Sequence, residues 1–346
     1  MTASTVFTPS PIANPPSIDG MLGDVKPSYI QQAIRTLQPI AQRSLGTIAL
    51  AVALTAIASA SIFIVIAEQE LTPCATTFDR LLIAAIAFLT WSRFQSSLQS
   101  PTESKQAIGW RDRALFGLAG VSFAASLICS AWSLTQTSVA NSALLNNMMP
   151  IFTTLGAWLF LKQQFSLRFV MGLGVAVGGV MAIGLQDLHI SSQQIMGDAA
   201  ALLAAVLLAA AILSIEQLRT RFSTPVIMAG VCLTGSLAIA PIVLLRWDSV
   251  LPCSWKSGLA VLALALVCQM IGHGLLTHSL KQFSSGLVSV SMLAIPVLSA
   301  TMAMVLFAQQ LSFMNWCAFL IVLAGIYLSI SAAQADPINT QVILEE

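Results

Sequence analysis

The sequence predicts an all-α integral membrane protein with ten transmembrane helices, arranged as two inverted five-helix repeats. Three observations lead to this fold class: the composition, the length of the apolar runs and an internal duplication. Of the 346 residues, 57% are hydrophobic and only 8% are charged, whereas a soluble domain has about 25% charged residues. This composition is typical of a protein that lies in the lipid bilayer.

The apolar runs have the length that a membrane span requires. A helix that crosses the hydrocarbon layer needs about 20 residues, at about 1.5 Å per residue. Ten runs have about this length. One of them, about Pro73–Trp91, contains Asp79 and Arg80 near its start, and we expect these side chains to reach the membrane interface. The other nine runs are uncharged: Gly46–Ala67, Ala114–Leu134, Ser138–Leu161, Phe169–Leu185, Ala199–Ile215, Pro225–Leu245, Leu259–Leu280, Ser284–Ala308 and Ser312–Ala335.

The two halves of the chain contain the same segment twice. Residues 132–184 align without a gap on residues 278–330, at a constant offset of 146. The matched pairs include Pro150 with Pro296, Gln163 and Gln164 with Gln309 and Gln310, and Gly179 with Gly325. Matching proline-interrupted spans in two halves of a membrane protein indicate a transporter's midplane site.

The distribution of positive charge predicts the orientation. Five spans per half place the second half upside down relative to the first. With the N-terminus in the cytoplasm, three cations lie on the far side, namely Arg80, Arg246 and Lys256. Twelve lie on the cytoplasmic side, as the positive-inside rule requires: Lys26, Arg35, Arg43, Arg93, Lys105, Arg111, Arg113, Lys162, Arg168, Arg219, Arg221 and Lys281.

We divide the chain into four parts. Residues 1–45 contain six prolines and little apolar sequence, which predicts a mobile cytoplasmic arm without a packed core. Residues 46–190 form the first five-helix half and residues 191–335 the second. Residues 336–346 are a short cytoplasmic tail.

The first candidate site surrounds Pro150. A proline has no N–H, so the carbonyl of Asn146 loses its helical partner, and Pro296 does the same to the carbonyl of Met292. Ser142, Asn146 and Thr153 share one helical face, and Asn147 is adjacent. We expect these side chains, with both prolines, to line a solute cavity; the alternative is that the amides hydrogen-bond a neighbouring helix as packing contacts.

The second candidate site lies on the eighth run. Gln269 and His273 are four residues apart and share a face. An imidazole titrates near pH 6.5 when unperturbed, so a buried histidine suits a proton relay or a hydrogen bond to solute. A neutral histidine bound to a neighbouring carbonyl is the alternative.

Three further residues complete the candidate set. Ser289 and Ser291 could add hydroxyl groups from the second repeat, or bind carbonyls of their own helix. Trp132 is expected either at the membrane interface or as an aromatic wall of the cavity.

Other patterns indicate packing, and no cofactor is expected. Gly174 and Gly178 form a GxxxG pattern that predicts close helix packing. No cysteine or histidine spacing predicts a metal site, and no set of residues predicts catalysis or nucleic-acid binding. Cys74 and Cys253 are expected on the same side of the membrane, and their pairing is left open.

One combination of features recurs in both halves: a polar-to-small stretch, a mid-helix proline, a long apolar run ending in a polar turn, and a glycine-rich helix. This combination resembles the EamA-type drug/metabolite transporter superfamily, over about residues 46–333. Asp79 and Arg80, in TTFDRLLIAAIAF, match a position where that family often has an arginine. Gly197 and Asp198 resemble the opening of its second half.

One departure from the family pattern occurs in both halves. Family members usually have glutamate in the turn after the proline-containing helix, and here the matching residues are Gln163 and Gln309. A salt bridge that such a glutamate would form is therefore not expected in this chain.

These features together predict a transporter that moves a small organic solute by alternating access about a site near Pro150 and Pro296. We see no charged residue near the centre of a run, which favours a neutral, zwitterionic or amphiphilic metabolite. A non-transporting membrane scaffold or assembly partner is the alternative, although buried asparagines and two kinked helices argue against it.

The expected partners follow from this function. They are a small-molecule metabolite and the lipid bilayer, without nucleic acid, and the choice between monomer and homodimer is left open. We expect a multi-pass protein of the cell (inner) membrane with both termini in the cytoplasm.

Overall fold

A computed structural model describes residues 45–98, 108–184, 195–246, 248–307 and 312–335. Within these ranges the chain is helical and contains no strand. The predicted arm, the predicted tail, the 185–194 segment and the pair Gln309 and Gln310 lie outside the described residues, except for Leu45 at the end of the arm.

The described helices follow the predicted apolar runs closely. A break at Ser59 separates the two helices of the first run. In chain order the helices are α1 (45–58), α2 (Ala60–Ala67), α3 (Pro73–Leu98), α4 (Trp110–Gln136), α5 (Val139–Asn146), α6 (Met149–Phe160), α7 (Leu167–Gly184), α8 (Ile195–Arg219), α9 (Thr224–Arg246), α10 (Trp255–Ala263), a π-helical segment (Leu264–His273), α11 (Gly274–Ser279), α12 (Ser285–Ser291), α13 (Ala294–Phe307) and α14 (Phe313–Ala335).

Among the described residues, eight helical stretches are long and apolar enough to cross a membrane. Two of the ten expected spans differ from the other eight. The expected span 138–161, which is divided between α5 (8 residues) and α6 (12 residues), is not among the eight, whereas the similarly divided Ser285–Leu306 stretch is. The expected span 169–185 lies on α7, whose apolar stretch, Leu167–Ala182, is shorter than the others.

Both proline-containing spans are interrupted just before the proline. α5 ends at Asn146, and α6 begins at Met149 with Pro150 in its first turn. α12 ends at Ser291, and α13 begins at Ala294, two residues before Pro296. The Met292 carbonyl, whose i+4 residue is Pro296, instead accepts a hydrogen bond from the N–H of Ile295 (2.9 Å), so it is not left free. A turn satisfies the carbonyl that the proline cannot.

The two interrupted spans also begin in the same way. The hydroxyl oxygen of Ser138 accepts a hydrogen bond from the N–H of Asn141 (3.1 Å) at the start of α5. The hydroxyl oxygen of Ser284 accepts one from the N–H of Leu287 (3.4 Å) at the start of α12. Serine is a preferred N-cap because it satisfies a backbone donor that has no helical partner. The two serines are 146 residues apart, which is the offset of the duplication.

The core consists of two main groups of helices. α4 packs against α8 and α9, and α3 packs against α9. α7 packs against α14, where buried side chains such as Phe169, Val177 and Val322 form a second cluster. The interrupted spans lie between these groups, since α5 contacts both α8 and α7, and α12 contacts both α8 and α14.

The closest packing of α7 on α14 uses glycines other than the GxxxG pair. A Cβ atom added to Gly325 would overlap the backbone of Ala176 and lie 2.7 Å from the carbonyl oxygen of Gly172. Nothing lies within 4 Å of a Cβ added to Gly174 or Gly178. The expectation that this pair mediates close packing is therefore wrong within the described residues.

Gly325→Val should destabilise the protein by about 1–3 kcal/mol, since the new side chain must push two helix backbones apart. The measurement is thermal unfolding of the purified protein in lipid nanodiscs. Gly174→Val is the matched control and should leave the unfolding temperature within about 1 °C of the wild type, because the site is open. Equal effects of the two substitutions would contradict this packing.

Polar contacts join the helix ends on each side of the bundle. On one side, the Arg221 guanidinium is 2.7 Å from an Asp112 carboxylate oxygen. On the other, the hydroxyl of Thr72 donates to Asp248 (2.9 Å), and the N–H groups of Cys253 and Ser254 donate to Glu70 (3.0 Å each).

The carboxylates of the loop between α2 and α3 have different surroundings. Hydrogen bonds from the Ser254 side chain and backbone lower the pKa of Glu70. Burial raises the pKa of Glu68. The thiols of Cys74 and Cys253, whose pairing was left open, are both free.

Candidate functional site

One face of α4 contacts both predicted sites. Ser130 and Ser133 lie seven and ten residues after Phe123, so the three side chains share a face over about 15 Å of helix. Phe123 packs edge-on against the ring of His273, with a distance of 5.1 Å between ring centroids. Ser130 accepts a hydrogen bond from the Asn146 amide, between Oγ and Nδ2 (2.7 Å).

The polar residues around Pro150 make local hydrogen bonds. The Ser133 hydroxyl donates to Ser142 (2.8 Å). The Asn147 amide donates to the carbonyl of Ala143 (2.7 Å), and the Thr153 hydroxyl donates to the carbonyl of Met149 (3.0 Å). Each of these groups thus has a protein partner in this conformation, as the packing alternative requires.

The second cluster contains a residue that sequence reasoning placed elsewhere. Arg80 is only 5% exposed, and its Nη2 donates to the amide oxygen of Gln269 (2.9 Å). The expectation that Arg80 extends to the membrane interface is therefore wrong. The long side chain packs inside the protein because a buried amide on the π-helical segment offers it an acceptor.

Both polar atoms of the Gln269 side chain have a partner. It is completely buried, and its Nε2 lies 3.7 Å from the sulfur of Cys232 on α9. The amide thereby orients the guanidinium from α3 against a segment of π-helix. π-helical turns occur frequently at functional sites.

His273 lies at the end of this π-helical segment. Its Nδ1 is 3.0 Å from the carbonyl oxygen of Cys268. Because a carbonyl can only accept, Nδ1 carries the proton, and in the neutral ring Nε2 is an acceptor.

A narrow cavity lies beside this ring, with room for about one water molecule. This cavity is too small for an organic solute in this conformation. Of the predicted site residues, His273 lines it. The full lining is Phe123, Leu208, Ile212, Ile215, Met228, Val231, His273, Leu276, Thr277 and Met292.

The remaining predicted residues do not line this cavity. The Ser289 and Ser291 hydroxyls bind the carbonyls of Gly286 (2.8 Å) and Leu287 (2.9 Å) in their own helix. Pro296 is half-buried at the start of α13, four residues after Met292 of the cavity wall. Trp132 is 44% exposed on α4, as an interfacial aromatic side chain would be.

Gln163, which replaces the usual glutamate, binds a carboxylate instead. Its Nε2 donates to Oε1 of Glu216 (2.9 Å), near the end of α8. The same oxygen accepts the N–H of Ser285 (3.0 Å), the first residue of α12. A glutamate at position 163 would place two carboxylates together, so the amide is the compatible partner.

Asp198 makes equivalent contacts near the other end of α8. Its Oδ1 accepts from the Thr137 hydroxyl (2.6 Å) and from the Asn141 amide (3.4 Å). One helix therefore holds the start of α5 at one end and the start of α12 at the other. Sequence reasoning missed Glu216, Ser130 and Ser133, although the spacing of the two serines on one α4 face was visible.

The described residues do not bring together three or more His, Cys, Asp or Glu side chains that could hold a metal ion. The described site residues offer hydrogen-bond donors and acceptors, and the imidazole of His273 can exchange a proton.

Comparison with known proteins identifies the family. Residues 44–185 and 195–331 each match the EamA-like transporter family. The chain belongs to this family. The resemblance seen in the sequence is thereby confirmed, and the EamA-like protein is a multi-pass membrane protein of a family whose members generally transport small solutes.

Solved structures support the fold of this EamA-like protein. No curated protein matches it, whereas 29 chains of known structure do. One of them, described as "Crystal structure of protein", has a TM-score of 0.71 and 18% sequence identity. The match covers 84% of this chain and 99% of the other. At that identity the similarity concerns the fold alone.

Proposed function

We propose that this EamA-like protein moves a small organic solute across the membrane by alternating access of two inverted five-helix halves. In this proposal all ten apolar runs cross the bilayer, including the interrupted run of α5 and α6 and the shorter α7. The solute site lies between the Pro150 and Pro296 breaks. The solute is a metabolite that is neutral, zwitterionic or amphiphilic.

The observation that carries the proposal is the matched pair of helix breaks. Each break directly precedes a proline, and each interrupted span begins at a serine cap 146 residues from the other. A repeated break is costly to maintain in lipid, because each freed backbone group needs a partner. Transporters use such breaks to present polar groups to a solute at the midplane.

The two carboxylates of α8 suggest how the halves alternate. Asp198 holds the start of α5 on one side, and Glu216 holds the start of α12 on the other. Releasing one set of hydrogen bonds would free one end of an interrupted span while the opposite end stayed closed. In this conformation both sets of hydrogen bonds are formed, so neither end of an interrupted span is released.

Two modes of transport fit the site. Facilitated diffusion needs only the cavity and its hydrogen-bonding groups. Proton-coupled transport would use His273, which lines the apolar cavity and whose Nε2 can take up a proton.

We further propose the cell (inner) membrane as the location, with both termini in the cytoplasm. Tags at the N-terminus, in the 93–113 loop and at the C-terminus should report the cytoplasmic side, and a tag in the 186–196 loop should report the other. The reason is the excess of cytoplasmic positive charge over ten spans. A C-terminus found outside would contradict the inverted repeat.

The direct test compares metabolites inside and outside cells with and without this gene. We expect at least one small solute to change on the two sides of the membrane in opposite directions, which would give the solute and the direction of transport together. A scaffold or assembly partner would leave the distribution of solutes across the membrane unchanged.

A further inference from the structure

Arg80 has a buried guanidinium without a counter-charge among the described residues. The side chain is 5% exposed, and its hydrogen bond joins Nη2 to Gln269. Its Nε is buried without a partner. In the described part of the chain, Arg221 and Asp112 are the residues that form an ion pair within 4.0 Å. No carboxylate there lies within 4.0 Å of the Arg80 nitrogens.

A second unsatisfied donor lies one turn earlier on α3. Thr76 is 2% exposed, and its hydroxyl has no hydrogen-bond partner. Because Thr76 and Arg80 are four residues apart, their side chains lie on one face of the helix. Asp79 is rotated by about 100° from Arg80 around the helix axis. One buried surface of α3 therefore presents two hydrogen-bond donors.

A buried charge without a partner is retained in a membrane protein where it serves a function. A guanidinium binds a carboxylate through two parallel hydrogen bonds. Gln269 takes one hydrogen of Nη2, and the Nε hydrogen of Arg80 has no partner. We propose that Arg80 and Thr76 form the anion-recognition point of the transport site and bind the carboxylate group of a small solute. This inference deepens the proposed transport function and rests on it.

The charge balance favours a carboxylate over a phosphate. One guanidinium neutralises one carboxylate, whereas a phosphate group carries up to two negative charges near neutral pH and would leave one uncompensated. Within the described residues no lysine and no second arginine joins Arg80 among the buried side chains.

The apolar cavity lies next to this point and fits the rest of such a solute. Val231 lines the cavity, and the adjacent Cys232 contacts Gln269. His273 also lines it, one turn after Gln269. A widened cavity would hold the apolar body of the solute while Arg80 binds its carboxylate. Within the proposed range of solutes, this narrows the class to amphiphilic monocarboxylates with a compact apolar part and to apolar zwitterions.

The test uses a pair of probes with the same shape and different charge. The full-length protein in lipid nanodiscs is titrated with isovalerate, isovaleramide or methyl phosphate, and its unfolding temperature is measured. We expect isovalerate to raise the unfolding temperature, and isovaleramide and methyl phosphate to have little effect. Equal responses to isovalerate and isovaleramide, or no response to isovalerate, would overturn the proposal. A stronger response to methyl phosphate would replace the carboxylate with a phosphate.

Two variants connect the response to the site. Arg80→Gln should weaken the isovalerate effect at least about tenfold, since it removes a charged hydrogen-bond donor. Thr76→Val keeps the shape of the side chain and should weaken it by roughly threefold to tenfold, as loss of one hydrogen bond does. Thr76→Val also provides a readout if Arg80→Gln fails to fold. An undiminished isovalerate response in either variant that folds would contradict the proposal.

Failure of this inference is distinguishable from failure of the proposed function. If Arg80→Gln moved the gene-dependent solute at the wild-type rate, the carboxylate assignment would be wrong and the transport function would stand. If wild-type cells showed no gene-dependent solute, the transport function would fail whatever the probes bind.

Discussion

Asn146→Leu is expected to abolish transport of the gene-dependent solute while the protein remains inserted at normal levels. The substitution removes a midplane amide that the proposed site offers to solute next to the Pro150 break. Loss of a hydrogen bond to a buried polar group costs about 1–3 kcal/mol, or roughly fivefold to 150-fold in rate. Leucine is more favourable than asparagine in hydrocarbon, so insertion should not suffer. The measurements are the initial transport rate and the amount of protein in the membrane.

The structure suggests a matched control variant, Ser130→Ala. The Asn146 amide donates to Ser130 (2.7 Å), so Ser130→Ala removes the protein partner and keeps the amide. If the amide serves the solute, Ser130→Ala should keep most of the transport activity. If the amide is a packing contact, both substitutions should lower the unfolding temperature, and Asn146→Leu should still transport. Asn147→Leu is expected to abolish transport as well.

The elements of the fold follow closely from the sequence. Spans were predicted from uncharged runs because lipid tolerates few other patterns. The breaks before Pro150 and Pro296 were predicted because a proline lacks the N–H that continues a helix. These are local effects, and the residues that cause them lie within a turn of their consequence. The count of spans is less direct, since α5 and α6 form one interrupted run.

Contacts between helices were not predictable in the same way. Helical spacing gives the face on which Arg80 lies, but not the helix that it meets. The nearest lipid interface and the Gln269 amide, 189 residues away, were both plausible partners before the packing was known. The pairing of Gln163 with Glu216 was not predictable for the same reason, because the two residues are 53 positions apart. The π-helical segment also has no local sequence signal.

His273→Gln is expected to remove uptake driven by an imposed pH gradient and to leave passive exchange of solute down its own gradient. Glutamine retains an N–H group that can bind the carbonyl of Cys268, as Nδ1 of His273 does (3.0 Å). It cannot titrate, so a proton can no longer be taken up beside the cavity. The measurement is uptake into proteoliposomes with and without a pH difference across the membrane.

His278→Gln is the matched control, since this exposed histidine lies near the end of the same run and does not line the cavity. It should leave gradient-driven uptake unchanged. The charged ring would lie against Phe123 and the apolar lining of the cavity, so it needs solute or water to accept a hydrogen bond from Nε2. Proton uptake and solute binding would then favour each other, which is the coupling that gradient-driven transport needs. Gradient-driven uptake that survives in His273→Gln would instead indicate coupling through protonation of the solute itself.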